Sequence, residues 1–295
     1  MQFAKAEKKR SKLRLGLTGP SGSGKTYSSL LIAAGMGGRI AIIDTERGSA
    51  SLYAGLTDFD TLELGSPFTP ERFIAAIRAA ETEGYDILIL DSISHEWSGT
   101  GGCLDLLDDL AKAKYKGNTW SAWSEVTPRH RAFLDAILQS RMHIIATMRS
   151  KTETAQSQEG GKVKVTKLGM KSEQREGAEY EFTTILDLSH EGHLATQSKD
   201  RTGLFANRDP FVIDIETGKA LIDWINSGVA EAPLISVAQH RLLEFEINQR
   251  GVDRQKVKAW CAAAFGIARF TELTNGQFER VLRRVTATGN TDQCQ

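Results

Sequence analysis

The chain has 295 residues, 40% hydrophobic and 25% charged, with 37 Lys and Arg against 37 Asp and Glu. These values exclude a disordered or fibrous chain, and the zero net charge excludes a uniformly basic nucleic-acid binder. Cys103, Cys261 and Cys294 are far apart in sequence and form no CxxC or Cys/His cluster. Neither structural zinc nor an oxidising compartment is therefore expected. No apolar run approaches the roughly 18–20 residues of a membrane span, and the basic start MQFAKAEKKRSKLRLGL leads into a strand rather than a signal-peptide core. A soluble cytoplasmic protein with no membrane partner is expected. Charge is uneven, with six Lys/Arg against one Glu in residues 1–14 and six against three acids in residues 151–175. Any polyanion site has to be local.

In chain order, Leu13–Thr18 is a short strand, followed by a Gly-rich turn and a helix through Met36 that Gly37 and Gly38 end. Arg39–Asp44 is an apolar strand. Thr69-Pro70 opens a helix with Phe73, Ile74, Ile77 and Ala80 on one face. Tyr85–Asp91 is another fully apolar strand, as in a parallel sheet covered on both faces. A Gly-rich loop over Ser98–Trp123 follows, then a helix over Pro128–Arg141 and a strand over His143–Met148. Lys151–Arg175 is polar, with Gly160 and Gly161, and reads as a long mobile loop. Further strands fall at Thr183–Leu188, His193–Gln197 and Phe211–Ile215. The expected fold is an α/β P-loop core with a mainly parallel sheet flanked by helices, residues 1–225. A linker over 226–235 and a small helical unit over 236–295 complete it.

The strongest motif is GPSGSGKT, Gly19 to Thr26, which matches GxxxxGK[ST] in full between a strand and a helix. Gly19, Pro20, Ser21, Gly22, Ser23 and Gly24 supply backbone N–H groups that curl around phosphate, and the helix N-terminus adds a favourable dipole. Lys25 would reach the β- and γ-phosphates of ATP and Thr26 would bind Mg²⁺, with Tyr27 completing the nucleotide contact. Asp91, at the end of ILILD, suits the carboxylate that holds Mg²⁺. Glu46 and Glu96 both stand a few residues past an apolar strand and compete to orient the attacking water.

These segments resemble the RecA-like recombinase family over about residues 13–215. IAIIDTERGSASLYA resembles that family's strand, catalytic glutamate and small-residue turn, and ILILDS its second nucleotide-binding strand. REGAEYEFTTILDL resembles the segment closing its second DNA loop, and SKDRTGLF the late strand whose basic residues reach the neighbouring protomer's ATP. More closely, the chain resembles phage-encoded single-domain RecA-like proteins of single-strand annealing, which implies a bacterial host cell. The resemblance favours Glu46 over Glu96. It makes Lys199 and Arg201 cations that act in trans on the γ-phosphate, the alternative being a solvated strand end. Thr147, followed by Met148 and Arg149, stands where the family places a phosphate-sensing Gln.

The same resemblance puts the Ser150–Glu176 loop at the second DNA loop. Lys151, Lys162, Lys164, Lys167, Lys171 and Arg175 would there track phosphates without reading sequence, unless they form only a solvated loop. Ser98–Trp123 corresponds to the first DNA loop, with Trp120 and Trp123 as stacking platforms or core residues. The six histidines show no metal-ligand spacing, and Arg280, Arg283 and Arg284 form one basic helical face, solvated or in contact with DNA or a partner. The implied function is an ATPase that assembles on single-stranded DNA as a filament or ring with Mg-ATP between protomers and promotes annealing or strand pairing. A single-strand-binding or other replication protein is a further candidate partner. A nucleoside or small-molecule kinase and an ATP-switched loader of a replication protein are the alternatives.

Overall fold

Continuous apolar runs become strands covered on both faces. A computed structural model describes residues 5–159, 162–229 and 234–288, with the backbone alone for 151–159, 162–171 and 288. The chain runs β1 (Arg14–Gly19), α1 (Lys25–Met36), β2 (Ile40–Asp44), β3 (Asp60–Glu63), α2 (Pro70–Glu83), β4 (Ile87–Asp91) and α3 (Ser94–Ser98). It continues through α4 (Cys103–Lys114), α5 (Thr119–Gln139), β5 (His143–Glu159), β6 (Lys162–Ser172), β7 (Thr184–Leu188), β8 (Leu194–Asp200), β9 (Phe211–Val212) and α6 (Ile215–Asn226). The sheet order is β3-β2-β4-β5-β1-β7-β8-β9. Pairing is parallel as far as β7 and antiparallel beyond it.

Strand alternation feeds two cores. Ile40 and Ile42 of β2 and Ile87 and Ile89 of β4 join the layer that contains Leu30, Ile32, Leu221 and Ile225. Their neighbours Ala41, Ile43, Leu88 and Leu90 join the layer of Phe73, Ile77, Phe133 and Ile137. In the first layer α1 and α6 meet at glycines. A Cβ on Gly35 would lie 2.0 Å from the Ile215 carbonyl oxygen, and one on Gly218 would lie 2.1 Å from that of Ile32. In the second, Phe73 packs edge-on against Phe133 at 5.4 Å. The buried Arg14 guanidinium, its pKa pushed down to about 10 chiefly by burial, donates to the Leu138 carbonyl in the last turn of α5 and to the Ser140 and Met142 carbonyls just beyond it.

Four expectations are corrected. Helix α5 begins at Thr119 rather than Pro128, because the Asn118 side chain accepts from Ser121 N at 3.2 Å and starts it a full two turns earlier. Ser98–Trp123 is accordingly not a loop: Cys103, Leu107 and Ala111 of α4 pack on Ala122 and Val126. Lys151–Arg175 is not an irregular loop either. β5 and β6 form an antiparallel hairpin from Ser150↔Ser172 to Glu159↔Lys162, with an irregularity between Glu153 and Thr154. Main-chain ladder bonds need no apolar pattern, and Thr152, Thr154, Val163, Val165 and Thr166 favour extended backbone. Gly160 and Gly161 lie outside the described residues. The expected strand at Phe211–Ile215 stops at Val212, because Asp214 accepts from Thr217 N at 2.9 Å and caps α6.

The chain divides into two units after Gly228. In the second, α7 (Val237–Gln249), α8 (Arg254–Phe265) and α9 (Asn275–Thr288) enclose Leu243, Ile247, Cys261, Phe278 and Val281. Arg280 lies over Phe265 at 5.2 Å and Arg284 over Trp260 at 4.7 Å, so part of the expected basic face covers aromatic rings. No helix of the described residues is long and apolar enough to cross a membrane.

Candidate functional site

The Gly-rich turn between β1 and α1 is held by backbone that only glycine adopts freely, with φ of 74° at Gly22 and 88° at Gly24. A side chain at Gly19 would meet Ser23 Oγ at 2.4 Å and the Leu188 carbonyl at 2.7 Å. The opening amides of α1 have no acceptor within the helix and no acidic residue stands in its first turn, an arrangement suited to an anion. Lys25 folds back across this turn and donates to the Gly19 and Pro20 carbonyls at 3.0 and 2.8 Å. Burial lowers its pKa, and the neighbouring Asp91 and Glu46 carboxylates oppose that shift. Ser21 is exposed, and the exposed Tyr27 ring stands edge-on to Tyr53 at 5.9 Å.

Asp91 ends β4 beside Asp44 of β2. It is buried, and its carboxylate accepts from Thr26 Oγ1 at 2.6 Å and Thr147 Oγ1 at 2.5 Å. Burial pushes its pKa up. Two hydroxyls on a buried carboxylate make an all-oxygen donor set, the kind that suits Mg²⁺. Thr26 and Asp91 fit that ion. Thr147 holds the carboxylate in place.

The end of β2 turns sharply. Asp44 accepts from Glu46 N and Ala50 N at 2.6 and 2.9 Å, and Thr45 binds the Asp91 carbonyl through both its amide and its hydroxyl. Glu46 thereby lines a cleft of about 540 Å³ with Asp44, Thr45, Glu63, His95 and Arg149, near enough for its charge to add to the upward shift of Asp91. Arg149 Nη2 lies 2.7 Å from Glu46 Oε1. His95 in the same cleft bonds Thr45 Oγ1 at 2.6 Å and stacks on Phe68, and burial and Arg149 lower its pKa. Glu96 lies elsewhere. It is fully buried, with one oxygen 3.1 Å from both Cys103 Sγ and His130 Nδ1, so it cannot contact a water in the open cleft.

Lys199 and Arg201 are not brought to their own P-loop. Thr18, at the P-loop end of β1, pairs with Asp187, whereas Lys199 and Asp200 pair with Ile185 and Thr184. At roughly 3.3 Å per residue, Lys199 stands about 10 Å back along the sheet from Leu188. Lys199 donates to the Glu179 and Tyr180 carbonyls and Arg201 to that of Tyr180. Burial and Arg201 hold the Lys199 pKa below the usual lysine value.

On the hairpin, Lys151 pairs in register with Lys171, Lys164 with Ser157 and Lys167 with Thr154. The side chains of Lys151, Lys162, Lys164, Lys167 and Lys171 lie outside the described part of the structure. Arg175 is not free to track phosphate, since its guanidinium lies over the Trp123 ring at 5.1 Å and donates to Thr127 Oγ1. Trp123 stacks on Trp97 at 5.7 Å as a core residue, whereas Trp120 is 86% exposed.

Two arrangements were invisible in the sequence. The Arg149–Glu46 pair joins residues 103 positions apart, and its only local signal was a cation closing an apolar strand. Glu96, Cys103 and His130 come together from three helices, contrary to the expected absence of a Cys/His cluster. No spacing rule covers that set. A family model described as an AAA domain matches residues 11–212, which is more than half of the chain. No curated protein matches it.

Proposed function

The chain belongs to the AAA-domain family, and from that premise we propose that its ATPase activity serves single-stranded DNA in phage-type recombination. Protomers would assemble on the strand with Mg-ATP between neighbours and promote annealing or pairing. One strand supports this assignment. β5 carries Thr147 on Asp91 and Arg149 on Glu46, then continues as the first arm of the lysine-bearing hairpin. A polyanion on that hairpin pulls on the residue that restrains Glu46.

Hydrolysis then follows from the groups in the cleft. Lys25 leaves the Gly19 and Pro20 carbonyls for the β- and γ-phosphates. Glu46, released by Arg149, orients a water whose oxygen bonds to the γ-phosphorus while the bond to the ADP oxygen breaks. The water's proton passes to Glu46 or to solvent. Lys199 and Arg201 of the neighbouring protomer meet the charge that grows on the γ-phosphate oxygens, a contribution to rate more than to ground-state binding. Thr26 and Asp91 would hold Mg²⁺, which would supply charge neutralisation on the phosphate oxygens.

ATP turnover with and without single-stranded DNA tests the proposal, together with replacement of Lys162, Lys164 and Lys167 by Ala. Stimulation by DNA is expected. The triple variant should bind all sequences more weakly and lower the salt slope by roughly 0.7 for each phosphate it no longer neutralises. Turnover indifferent to DNA, with an unchanged slope, would overturn the DNA assignment. Phosphorylation of a small acceptor would then indicate a kinase.

A further inference from the structure

Glu96, Cys103 and His130 present a carboxylate oxygen, Sγ and Nδ1 within 4.8 Å of one another, each residue buried to 1% exposure or less. They come from α3, α4 and α5, and none takes part in the nucleotide cleft. Their separations are 3.1 Å for Sγ to Oε1, 3.1 Å for Nδ1 to Oε1 and 4.0 Å for Sγ to Nδ1. Zinc bonds of about 2.3 Å to sulfur and about 2.0 Å to nitrogen and oxygen, at tetrahedral angles, separate such atoms by roughly 3.3–3.6 Å. The three donors therefore outline one face of a zinc tetrahedron to within a few tenths of an ångström.

We propose that this triad is a zinc site that ties α3, α4 and α5 together beside the nucleotide cleft.

Charge favours a metal over a bare hydrogen-bonded triad. Glu96 is a carboxylate sealed from solvent, and among the described residues its oxygens meet His130 and Cys103. His130 makes a poor counter-ion, because its Nε2 is buried with no hydrogen-bond partner. An imidazolium there would hide a charged N–H without an acceptor, which costs more than hiding a neutral one. A dication with one carboxylate and one thiolate is neutral overall, and it lets His130 bind through Nδ1 as a neutral ring. On binding, the Sγ–H bond is replaced by a bond from Sγ to the metal and the proton leaves to solvent. Thiolate and imidazole select zinc over the hard Mg²⁺ expected at Thr26 and Asp91, so the two sites do not compete for one ion. The three donors fill three of the four positions of a zinc tetrahedron. Because α3 begins three residues after Asp91, the site would brace the strand end that carries that carboxylate.

Cobalt(II) is the probe, added to full-length protein stripped with a chelator and free of nucleotide. The wild type should take up one equivalent and show a near-ultraviolet thiolate-to-cobalt absorption, displaced by zinc but not by excess Mg²⁺. The Cys261→Ser/Cys294→Ser variant, whose sole thiol is Cys103, should keep the band, as should Lys25→Ala. Cys103→Ser should abolish it. His130→Gln should weaken cobalt binding by more than the roughly 10–100-fold that a supporting neighbour of a ligand costs. A wild type without the band, a band lost in the Cys261→Ser/Cys294→Ser variant, or one that survives Cys103→Ser would overturn the site. Unaltered affinity in His130→Gln would do the same.

Discussion

Glu46 follows Asp44 at the end of β2, and Glu96 follows Asp91 at the end of the adjacent strand β4, yet the two glutamates end in opposite surroundings. Glu46 faces an open cleft against Arg149, whereas Glu96 is sealed between helices against His130 and Cys103. The backbone makes the difference. Beyond Asp44 the chain turns back through Arg47 and Gly48, both at positive φ, with Asp44 accepting from the turn's amides. Beyond Asp91 it enters α3, which carries Glu96 inward under α4 and α5. Cleft groups should therefore express themselves in rate and sealed groups in stability.

The largest effect tests the cleft as a whole. Lys25→Ala should cut ATP turnover by at least about 10²–10³-fold, the scale of losing one strong charge-stabilising donor. Lys199→Ala/Arg201→Ala should be similarly inactive while still binding ATP. Mixing the two inactive proteins should restore part of the activity, because each supplies the half-site that the other lacks. Absence of recovery between folded, co-assembled chains would show that Lys199 and Arg201 do not act in trans.

The contrast between the two glutamates comes next. Glu46→Gln should retain nucleotide binding and slow turnover by about 10²-fold or more, as loss of a positioned acid–base group does. Glu96→Gln should leave turnover near normal in protein that remains folded, and should lower unfolding stability by about 1–3 kcal/mol. Chemical denaturation and steady-state turnover of both variants separate the two roles, and a reversal of this pattern would exchange the assignments.

His143 extends the contrast to a sealed group at the start of β5. Its Nδ1 accepts from Leu13 N at 3.1 Å, and burial, then Lys12 and Arg14, pushes its pKa down to about 4. The unfolded chain, with a histidine pKa of about 6.5, takes up that proton first. The stability conferred by neutral His143 is thus intact above about pH 6.5 and is lost as pH falls to about 4. Across that window the loss is on the order of 3 kcal/mol. His143→Asn, which can keep an acceptor for Leu13 N, should flatten the stability curve there without altering turnover at neutral pH. An unchanged acid slope would remove His143 from this role.

The smallest effect lies where cleft and hairpin meet. Arg149→Ala frees Glu46 from its restraint and cuts the link from β5. The ratio of turnover with DNA to turnover without it should fall by about 2- to 30-fold, the range of a coupling of roughly 0.5–2 kcal/mol. An unaltered ratio would place the coupling elsewhere.

What the sequence determined by itself was whatever depends on local chemistry. GPSGSGKT needs its glycines for backbone that other residues resist, IAIID and ILILD need two covered faces, and Pro70 opens a helix where a missing N–H costs nothing. Those features made the α/β class legible from local signals alone. The exposed edge strand Asp60–Glu63 carries no apolar pattern, and the hairpin of β5 and β6 is joined by main-chain bonds, so neither left a hydrophobic signature. The start of α5 hung on the single side chain of Asn118. Tertiary structure alone decided which glutamate met solvent, that Arg149 closed on Glu46, that Arg175 lay on Trp123, and that Glu96, Cys103 and His130 converged. Each of these pairs residues from different elements. Their distance is set by how strands and helices stack, and a one-dimensional order of residues carries no record of it.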